Sequence, residues 1–278
     1  MATRKERPFL IRDERLYEVE TRLAMPQDAE HIVYIFRAGF PHHLLPYTIY
    51  NQPGIVDYLR GMIAVQRLGT TSITAVATYR GQVIAWAQFH RHPTLLFLNH
   101  IYVTPEFQGA GVGRLLLRDA ISTVKDPGQI YLGSEAFANN HKALRWYASL
   151  GLTPSDRLDW AEIKPEPAQD VPTWWSFDGL ITGLAAQKRF GFSRMLLRTD
   201  RAEYVIRALG QRFYRGNSFD IIEDPSALTA LHTLDPERSL MIIARTQNQG
   251  SRYPTVAQGQ QVRGRIDVAL AVLNTLPL

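Results

Sequence analysis

Cysteine is absent from the 278 residues, which excludes disulfide bridges and thiol nucleophiles. No apolar run is long enough to cross a membrane, and Met1–Arg15 is charged rather than apolar, unlike a secretory signal. The adjacent His42 and His43 lack the acidic or cysteine partners of a metal site, so we expect no metal. These absences predict a soluble cytoplasmic protein.

Acidic residues are fewer than basic ones. The formal net charge is +5, from 31 Lys and Arg against 26 Asp and Glu. Basic residues are concentrated between Lys188 and Arg215, where they are spread through amphipathic segments as on a solvated face. No nucleic-acid-binding motif accompanies them, so we predict no nucleic-acid partner. A polyanionic small molecule is a competing reason for the positive charge.

The glycine-bearing segment Gln108–Gly113 follows the apolar run Leu95–Val103 and precedes a segment with helical periodicity. At a helix start the first N–H groups lack partners and the positive end of the helix dipole faces outward, which favours a phosphate. Glycines let such a ligand approach the backbone closely. A dinucleotide-binding turn and an ordinary strand–helix turn are the alternatives.

The segments before this loop argue against a dinucleotide-binding fold. Ser72–Thr78 and Val83–Phe89 alternate like strands and are joined by a hairpin turn at Tyr79–Gln82. A dinucleotide fingerprint belongs instead in a parallel βαβ unit. We therefore predict an antiparallel meander that leads into the glycine-bearing loop.

A second motif, Asn140–Tyr147 (NHKALRWY), is followed by Gly151-Leu152, and the strand-like Tyr131–Phe137 precedes it. With the loop Gln108–Gly113, this order resembles the GNAT superfamily of acetyl-CoA-dependent N-acetyltransferases over residues 17–164. Further segments that match the family are the first strand, Tyr17–Leu23, the opening of the first helix, Pro26–Glu30, and the second helix, Gly54–Leu68.

The resemblance implies an α/β (α+β) fold with a mixed, mostly antiparallel sheet flanked by helices, in which the fourth and fifth strands splay apart. It implies acetyl-CoA as co-substrate, with pantetheine held by main-chain groups in the gap and the pyrophosphate held by loop amides. The residues matched to cofactor binding are Ile101, Tyr102, Val103, Gln108, Gly109, Ala110, Gly111, Val112, Gly113, Arg114, Asn140 and Tyr147.

The resemblance also implies direct attack of an amine on the thioester, for which Tyr147 is the candidate to protonate the leaving thiolate. The general base is open between Glu135, His100 and a water chain. Alternation along a strand predicts that Asn99 and His100 face opposite ways. Relatives often carry an acid at the position that Phe97 occupies here.

The segment Gly39–Tyr50 is aromatic and histidine-rich, which indicates either an apolar acceptor pocket or a loop packed on the core. The matched domain is expected to span residues 1–165, and Pro165–Pro172 is spaced like a linker. Residues 173–278 form a predicted C-terminal α/β module with helices at 200–209 and 261–273. The segment Gln261–Gly264, which resembles the glycine-bearing loop and comes ahead of a helical pattern, raises the alternative of a degenerate second GNAT half.

The function predicted from these features is transfer of an acetyl group from acetyl-CoA to a primary amine of a small molecule. One alternative is a protein or peptide N-acetyltransferase whose C-terminal module docks the partner, and another is a non-catalytic acyl-CoA sensor or scaffold. A homodimer is compatible with either. The acceptor, the acyl chain length and the oligomeric state are not specified by the sequence.

Overall fold

The computed structural model describes residues 14–167, 174–246 and 253–275. The predicted linker Pro165–Pro172 lies largely outside the described residues. The helices are α1 (Ala29–Gly39), α2 (Ile55–Val65), α3 (Val112–Val124), α4 (His141–Ser149), α5 (Leu180–Phe190), α6 (Pro225–Leu234) and α7 (Ile266–Thr275). The strands are β1 (Val19–Leu23), β2 (Ser72–Tyr79), β3 (Gln82–Arg91), β4 (Leu95–Val103), β5 (Tyr131–Phe137), β6 (Thr153–Ile163), β7 (Trp175–Asp178), β8 (Met195–Thr199), β9 (Glu203–Leu209), β10 (Phe213–Gly216), β11 (Ser239–Arg245) and β12 (Thr255–Arg265).

All twelve strands form one continuous sheet in the order β1-β2-β3-β4-β5-β12-β6-β11-β10-β9-β8-β7. The pairs from β1 to β4 are antiparallel and β4 pairs with β5 in parallel. The pairs from β7 to β10 are likewise antiparallel, and β10 pairs with β11 in parallel. The same pairing pattern therefore occurs twice, and β12 and β6 lie between the two occurrences.

Helices cover both faces of the sheet because each carries one apolar side. Ile32, Ile35 and Phe36 of α1 are buried as their spacing predicts, and they pack with α2 and Trp86 on one face. On the opposite face, α3 and α7 pack against the strands around Leu98. The predicted mixed sheet with flanking helices is confirmed.

Two predicted helices in the C-terminal part are wrong in whole or in part. Residues 203–209 form strand β9, in which Tyr204, Ile206 and Ala208 alternate into the core. The segment predicted as a helix from residue 261 is strand up to Arg265, and α7 begins only at Ile266. The helix prediction follows from the high content of helix-forming residues in these segments. In the structure the strand-like alternation decides instead.

Strand β12 belongs to the predicted C-terminal module but lies between β5 and β6. Gly264 is part of this strand rather than of a loop, and a Cβ there would lie 2.4 Å from the Gly151 carbonyl oxygen. The resemblance of residues 261–264 to a phosphate loop is therefore not supported by the geometry. No helix in the described ranges is both long and apolar enough to span a membrane.

Candidate active site

Strands β4 and β5 pair at one end and separate at the other. Their parallel register runs from Leu95 opposite Tyr131 to Leu98 opposite Ser134 and stops there. The Ser134 hydroxyl donates to the Leu98 carbonyl oxygen at 2.9 Å, where the pairing ends. Beyond this point the main chain of Ile101–Val103 borders an open gap, so the predicted splay of the central strands is confirmed.

A cavity of about 1360 Å³ extends from this gap toward the C-terminal part of the chain. The predicted site residues that line it are His100, Ile101, Tyr102, Val103, Gln108, Gly109, Gly111, Gly113, Arg114, Glu135, Asn140 and Tyr147. Ala110 and Val112 do not line it, and the Val112 side chain is buried in the core below α3. Most of the residues that the resemblance implies for the site therefore surround one cavity.

The loop between β4 and α3 presents main-chain N–H groups to the cavity. Gly109 and Gly111 have φ angles of +84° and +94°, a left-handed conformation that glycine adopts without strain. The amides of Gly109, Gly111, Val112 and Gly113 have no hydrogen-bond acceptor within the described part of the chain. Those of Gln108, Ala110 and Arg114 are engaged in turns, with the carbonyls of Pro105, Phe107 and Gly111.

Positive side chains surround the same loop. The Arg114 Nη1 atom is buried, has no hydrogen-bond partner in the described structure, and belongs to a residue that lines the cavity. Lys142 donates to the Gln108 side-chain oxygen at 2.9 Å. Four amides in and just before the first turn of α3, together with the Arg114 Nη1 atom, fit a diphosphate group.

Helix α4 positions Asn140 and Tyr147. Asn140 caps the helix, because its side-chain oxygen accepts from the Ala143 amide at 3.1 Å, and it also lines the cavity. Tyr147 is 5% exposed and reaches the cavity beside Ser134. Burial raises the pKa of Tyr147, with a smaller opposing effect from Ser134, so the hydroxyl keeps its proton at neutral pH.

Glu135 lies on β5 one residue past the point where pairing with β4 ends. Burial raises the pKa of its carboxyl, and Gln261, Arg215 and Trp160 offset that effect only in part. Space for the carboxylate depends on β12, because a Cβ at Gly259 would lie 2.5 Å from Glu135 Oε1. The C-terminal segment therefore shapes the surroundings of a predicted catalytic residue.

His100 is enclosed by aromatic rings. Its ring centroid lies 5.2 Å from that of Phe36, 5.4 Å from Tyr50 and 5.5 Å from Trp86. Burial, together with the charges of His90 and Arg215, lowers the pKa of His100 to about 3. The imidazole is therefore neutral at physiological pH and a weak base.

The predicted opposition of Asn99 and His100 is wrong, because both line the cavity. Gln88 pairs with His100 while Phe89 pairs with Leu98, which leaves Asn99 as the extra residue of a β-bulge. Its side-chain nitrogen donates to Gln88 Oε1 at 2.9 Å. The bulge interrupts the alternation on which the sequence argument relied.

The segment Gly39–Tyr50 contributes part of the cavity wall. Gly39, Phe40, Thr48, Ile49 and Tyr50 line it, whereas His42 and His43 are exposed and do not line it. Among the described residues no group of three or more His, Asp or Glu side chains could hold a metal ion.

Sequence reasoning missed the part of the site that comes from the C-terminal strands. Arg207 on β9 and Arg215 on β10 line the cavity, as do Gly216, Asn217 and Ile243. The sequence predicts a solvated face for both arginines, and Arg207 is exposed accordingly. Arg215, however, is only partly exposed, and its pKa is lowered to about 10, chiefly by burial. The only signal in the sequence is that Arg215 lies within the apolar stretch 213–216.

The structure has the two main features that the resemblance implies. One is a mixed sheet with a splayed central strand pair, and the other is a helix start whose amides lie beside the gap. The model of the acetyltransferase (GNAT) family matches residues 41–152. This part of the chain is therefore similar to a GNAT acetyltransferase domain. No curated protein matches the sequence.

Solved structures show the same fold over both parts of the chain. A GCN5-related N-acetyltransferase from Sphaerobacter thermophilus aligns with a TM-score of 0.59 and 15% identity, covering 90% of this chain and 96% of that one. A Pyrococcus horikoshii protein classed provisionally as an acetyltransferase aligns with a TM-score of 0.63 and 13% identity, covering 96% and 94%. A tandem GNAT protein from the clavulanic acid biosynthesis pathway aligns with a TM-score of 0.59 and 11% identity, covering 89% and 98%.

Proposed function

We propose that this protein transfers an acetyl group from acetyl-CoA to the amine of a small molecule. The observation that carries the proposal is the set of four main-chain N–H groups in and just before the first turn of α3 that have no acceptor among the described residues, beside the buried Arg114 Nη1 atom, which has none there either. A diphosphate supplies the acceptors that these donors lack. The β4–β5 gap next to them offers main-chain groups of Ile101–Val103 to an extended pantetheine arm.

Two side chains suited to proton transfer, those of Glu135 and Tyr147, line the cavity near the gap. Acetyl-CoA supplies a thioester whose acyl carbon the amine nitrogen attacks, with loss of the carbon–sulfur bond. Glu135 accepts a proton from the amine, because its raised pKa makes it a stronger base than an exposed carboxylate. Tyr147 donates its proton to the departing sulfur, and burial keeps that proton in place beforehand.

Of the two candidate bases, Glu135 is favoured over His100. An imidazole with a pKa of about 3 accepts a proton poorly at neutral pH. The aromatic rings of Phe36, Tyr50 and Trp86 surround His100, so we assign it to the wall of the acceptor pocket.

A small acceptor is favoured because the C-terminal strands line the far end of the cavity. Trp160 of β6, Arg215 of β10 and Ile243 of β11 all contribute to that end. A protein substrate would have to bring its acceptor amine among these residues. The cavity therefore favours a compact amine over a surface lysine.

Calorimetry with coenzyme A and acetyl-CoA tests the first half of the proposal, with the Arg114→Gln variant as a probe of the loop. We expect binding by the wild-type protein and weaker binding by the variant. Release of free thiol on addition of a panel of small amines and of lysine-containing peptides tests the second half. The absence of any heat with either thioester or free coenzyme would refute the proposal, and transfer to peptides alone would replace the small acceptor by a protein.

A further inference from the structure

Two arginines from the C-terminal strands face the acceptor end of the cavity together. Arg207 and Arg215 are direct partners in the antiparallel β9–β10 pair, so their side chains project from the same face. The neighbouring Ile206 and Tyr214 point to the opposite face and are buried in the C-terminal core. Both arginines line the cavity.

Neither guanidinium is compensated within the described part of the chain. No salt bridge or hydrogen bond joins Arg207 or Arg215 to a described residue, whereas Arg198, Arg238 and Arg265 each have a carboxylate partner. Glu135 is the one carboxylate whose charge acts on Arg215, and it lies beyond ion-pair distance. Arg215 remains protonated at neutral pH although burial and Arg207 lower its pKa to about 10.

The net charge around Arg207 and Arg215 indicates the kind of ligand that this end of the cavity would bind. Two positive guanidinium groups and one negative carboxylate leave net positive charge at this end of the cavity, to which Arg194 adds near Arg207. A carboxylate of a bound ligand would offset part of that charge. Arginine binds carboxylates through paired N–H donors, which makes it suited to this role. The aromatic side chains of Tyr58, Phe137 and Trp160 line the cavity nearby and leave room for an apolar portion of the same molecule.

We propose that Arg207 and Arg215 bind a carboxylate of the acceptor, so that the acceptor is an amine that also carries a carboxylate group. This inference rests on the proposed function, because it assigns the substrate class of that same site. In this arrangement the amine lies toward Glu135 and the β4–β5 gap, and the carboxylate lies toward β9 and β10. The C-terminal strands then determine acceptor specificity without taking part in the chemistry.

The test uses the full-length protein with coenzyme A bound and measures the binding of matched probes by calorimetry. The probes are the proteinogenic L-amino acids and 4-aminobenzoate, each paired with the amine that lacks the carboxylate, such as L-phenylalanine with 2-phenylethylamine. We expect at least one acid to bind about tenfold or more tightly than its partner, since a charge-assisted hydrogen bond contributes that much.

Variants separate the role of the arginines from a general loss of structure. Arg215→Gln and Arg207→Gln should remove most of the preference for the acid while binding of the partner amine changes little. Arg215→Lys, which keeps the charge but not the paired donors, should retain part of the preference. Arg189→Gln is the control, because Arg189 is exposed in the same part of the chain, stacks over Phe190 and does not line the cavity.

The outcomes distinguish this inference from the proposed function. If coenzyme A binds but no acid is preferred over its partner, or if the preference survives in both glutamine variants, the carboxylate site is refuted and the acetyltransferase proposal stands. If coenzyme A does not bind at all, the proposed function fails. Binding of the acids without coenzyme A would still support the arginine pair.

Discussion

Glu135 and His100 face the same cavity, yet burial moves their pKa values in opposite directions. The charged form is the one that burial disfavours, so the pKa of a carboxyl rises and that of an imidazole falls. The carboxylate becomes a stronger base and the imidazole a weaker one. The environment thus distinguishes two residues that the sequence left as equal candidates.

Replacing Glu135 with Gln should lower kcat/KM by about a hundredfold or more, because general bases contribute on that scale. In the wild-type protein kcat/KM should fall as the pH decreases through the raised pKa of Glu135, since protonation removes the base. This acidic limb should be missing in the variant. The pH profile of thiol release at saturating acetyl-CoA measures both effects.

Two further variants serve as controls for Glu135. Glu106→Gln removes the same charge at the exposed rim of the cavity and should leave the acidic limb in place. His100→Gln should also keep it. Loss of the limb in the His100 variant instead would transfer the role of base to the imidazole.

Replacing Tyr147 with Phe should lower kcat by about a hundredfold while the affinity for coenzyme A stays the same. The ring remains to fill its buried position, and only the hydroxyl that donates a proton is lost. Tyr131→Phe is a matched control, because Tyr131 is at the start of β5 and does not line the cavity. Unchanged turnover in the Tyr147 variant would remove this residue from the mechanism.

The resemblance was sufficient to predict that Tyr147 and Asn140 line the cavity, because one lies on a short helix and the other caps it, and the position of that helix follows from the motif. It could not predict Arg215. That residue reaches the cavity only because β10 and β5 belong to the same sheet. The two strands are far apart in sequence, so no local sequence pattern indicates that they lie in one sheet. Asn99 was misplaced for a related reason, since a single bulge reverses the alternation that follows it.

At the scale of elements, the loop between β4 and α3 depends on glycine for two separate reasons. Gly109 has φ +84° and a Cβ there would meet no protein atom within 4 Å, so the space beside it is open to a ligand. The left-handed backbone would be strained by any other residue. Strain and ligand access are distinguishable by experiment.

Gly109→Ala should reduce both the free energy of unfolding, by about 1 kcal/mol, and the affinity for coenzyme A. Gly81→Ala is a matched control, since Gly81 has φ +80°, equally open surroundings, and a place in the β2–β3 hairpin turn. It should show the same loss of stability with unchanged affinity. Denaturant unfolding and calorimetry measure the two quantities, and equal affinity in both variants would argue against a diphosphate at the loop.

Helices and strands whose apolar residues follow one clear period were predicted well. The errors fall in segments that fit both the helical and the strand period. The β2–β3 hairpin and α3 form as their patterns indicate, and α2 is a few residues shorter than predicted. Residues 203–209 and 255–265 are strands because neighbouring strands supply hydrogen-bond partners and burial on both sides. A single sequence does not reveal those partners.

At the scale of the whole molecule, the two parts of the chain share one sheet rather than lying side by side. Strand β12 separates β5 from β6, and α7 adds Ile266, Ala269 and Leu273 to the core of the N-terminal part. The predicted boundary near residue 165, between a domain at 1–165 and a module at 173–278, stays a prediction. In space the C-terminal segment completes the N-terminal sheet.

A chain ending at residue 167 should therefore fail to fold, because removal of β12 exposes an unpaired edge on β5 and a gap in the core below α3. Circular dichroism and solubility measure this, and co-expression with residues 168–278 should restore a folded complex. A truncated chain that unfolds cooperatively and binds coenzyme A would show that β12 is dispensable.

The repeated pairing pattern leads us to propose that residues 173–278 form a second GNAT half that has lost its cofactor site. By position in the sheet, β10 and β11 correspond to β4 and β5, and α6 corresponds to α3. The pair β10–β11 is hydrogen-bonded over Phe213–Gly216, which is the whole of β10, so β10 has no strand residues beyond the paired region. Strand β4, in contrast, continues to Val103 after its pairing with β5 ends at Leu98.

The start of α6 is also unsuited to a phosphate, which leads to a prediction about stoichiometry. Asp224 is buried and caps α6 by accepting from the Ala227 amide at 3.1 Å, and Pro225 has no N–H to offer. Asp220 and Glu223 add negative charge just before it. Because the Asp224 carboxylate already accepts from an amide of this helix and repels an anion, calorimetry should find about one coenzyme A per chain.

Arg114→Gln should weaken the binding of this one coenzyme A without revealing a second binding site. A stoichiometry near two per chain would show that the second half has kept a site.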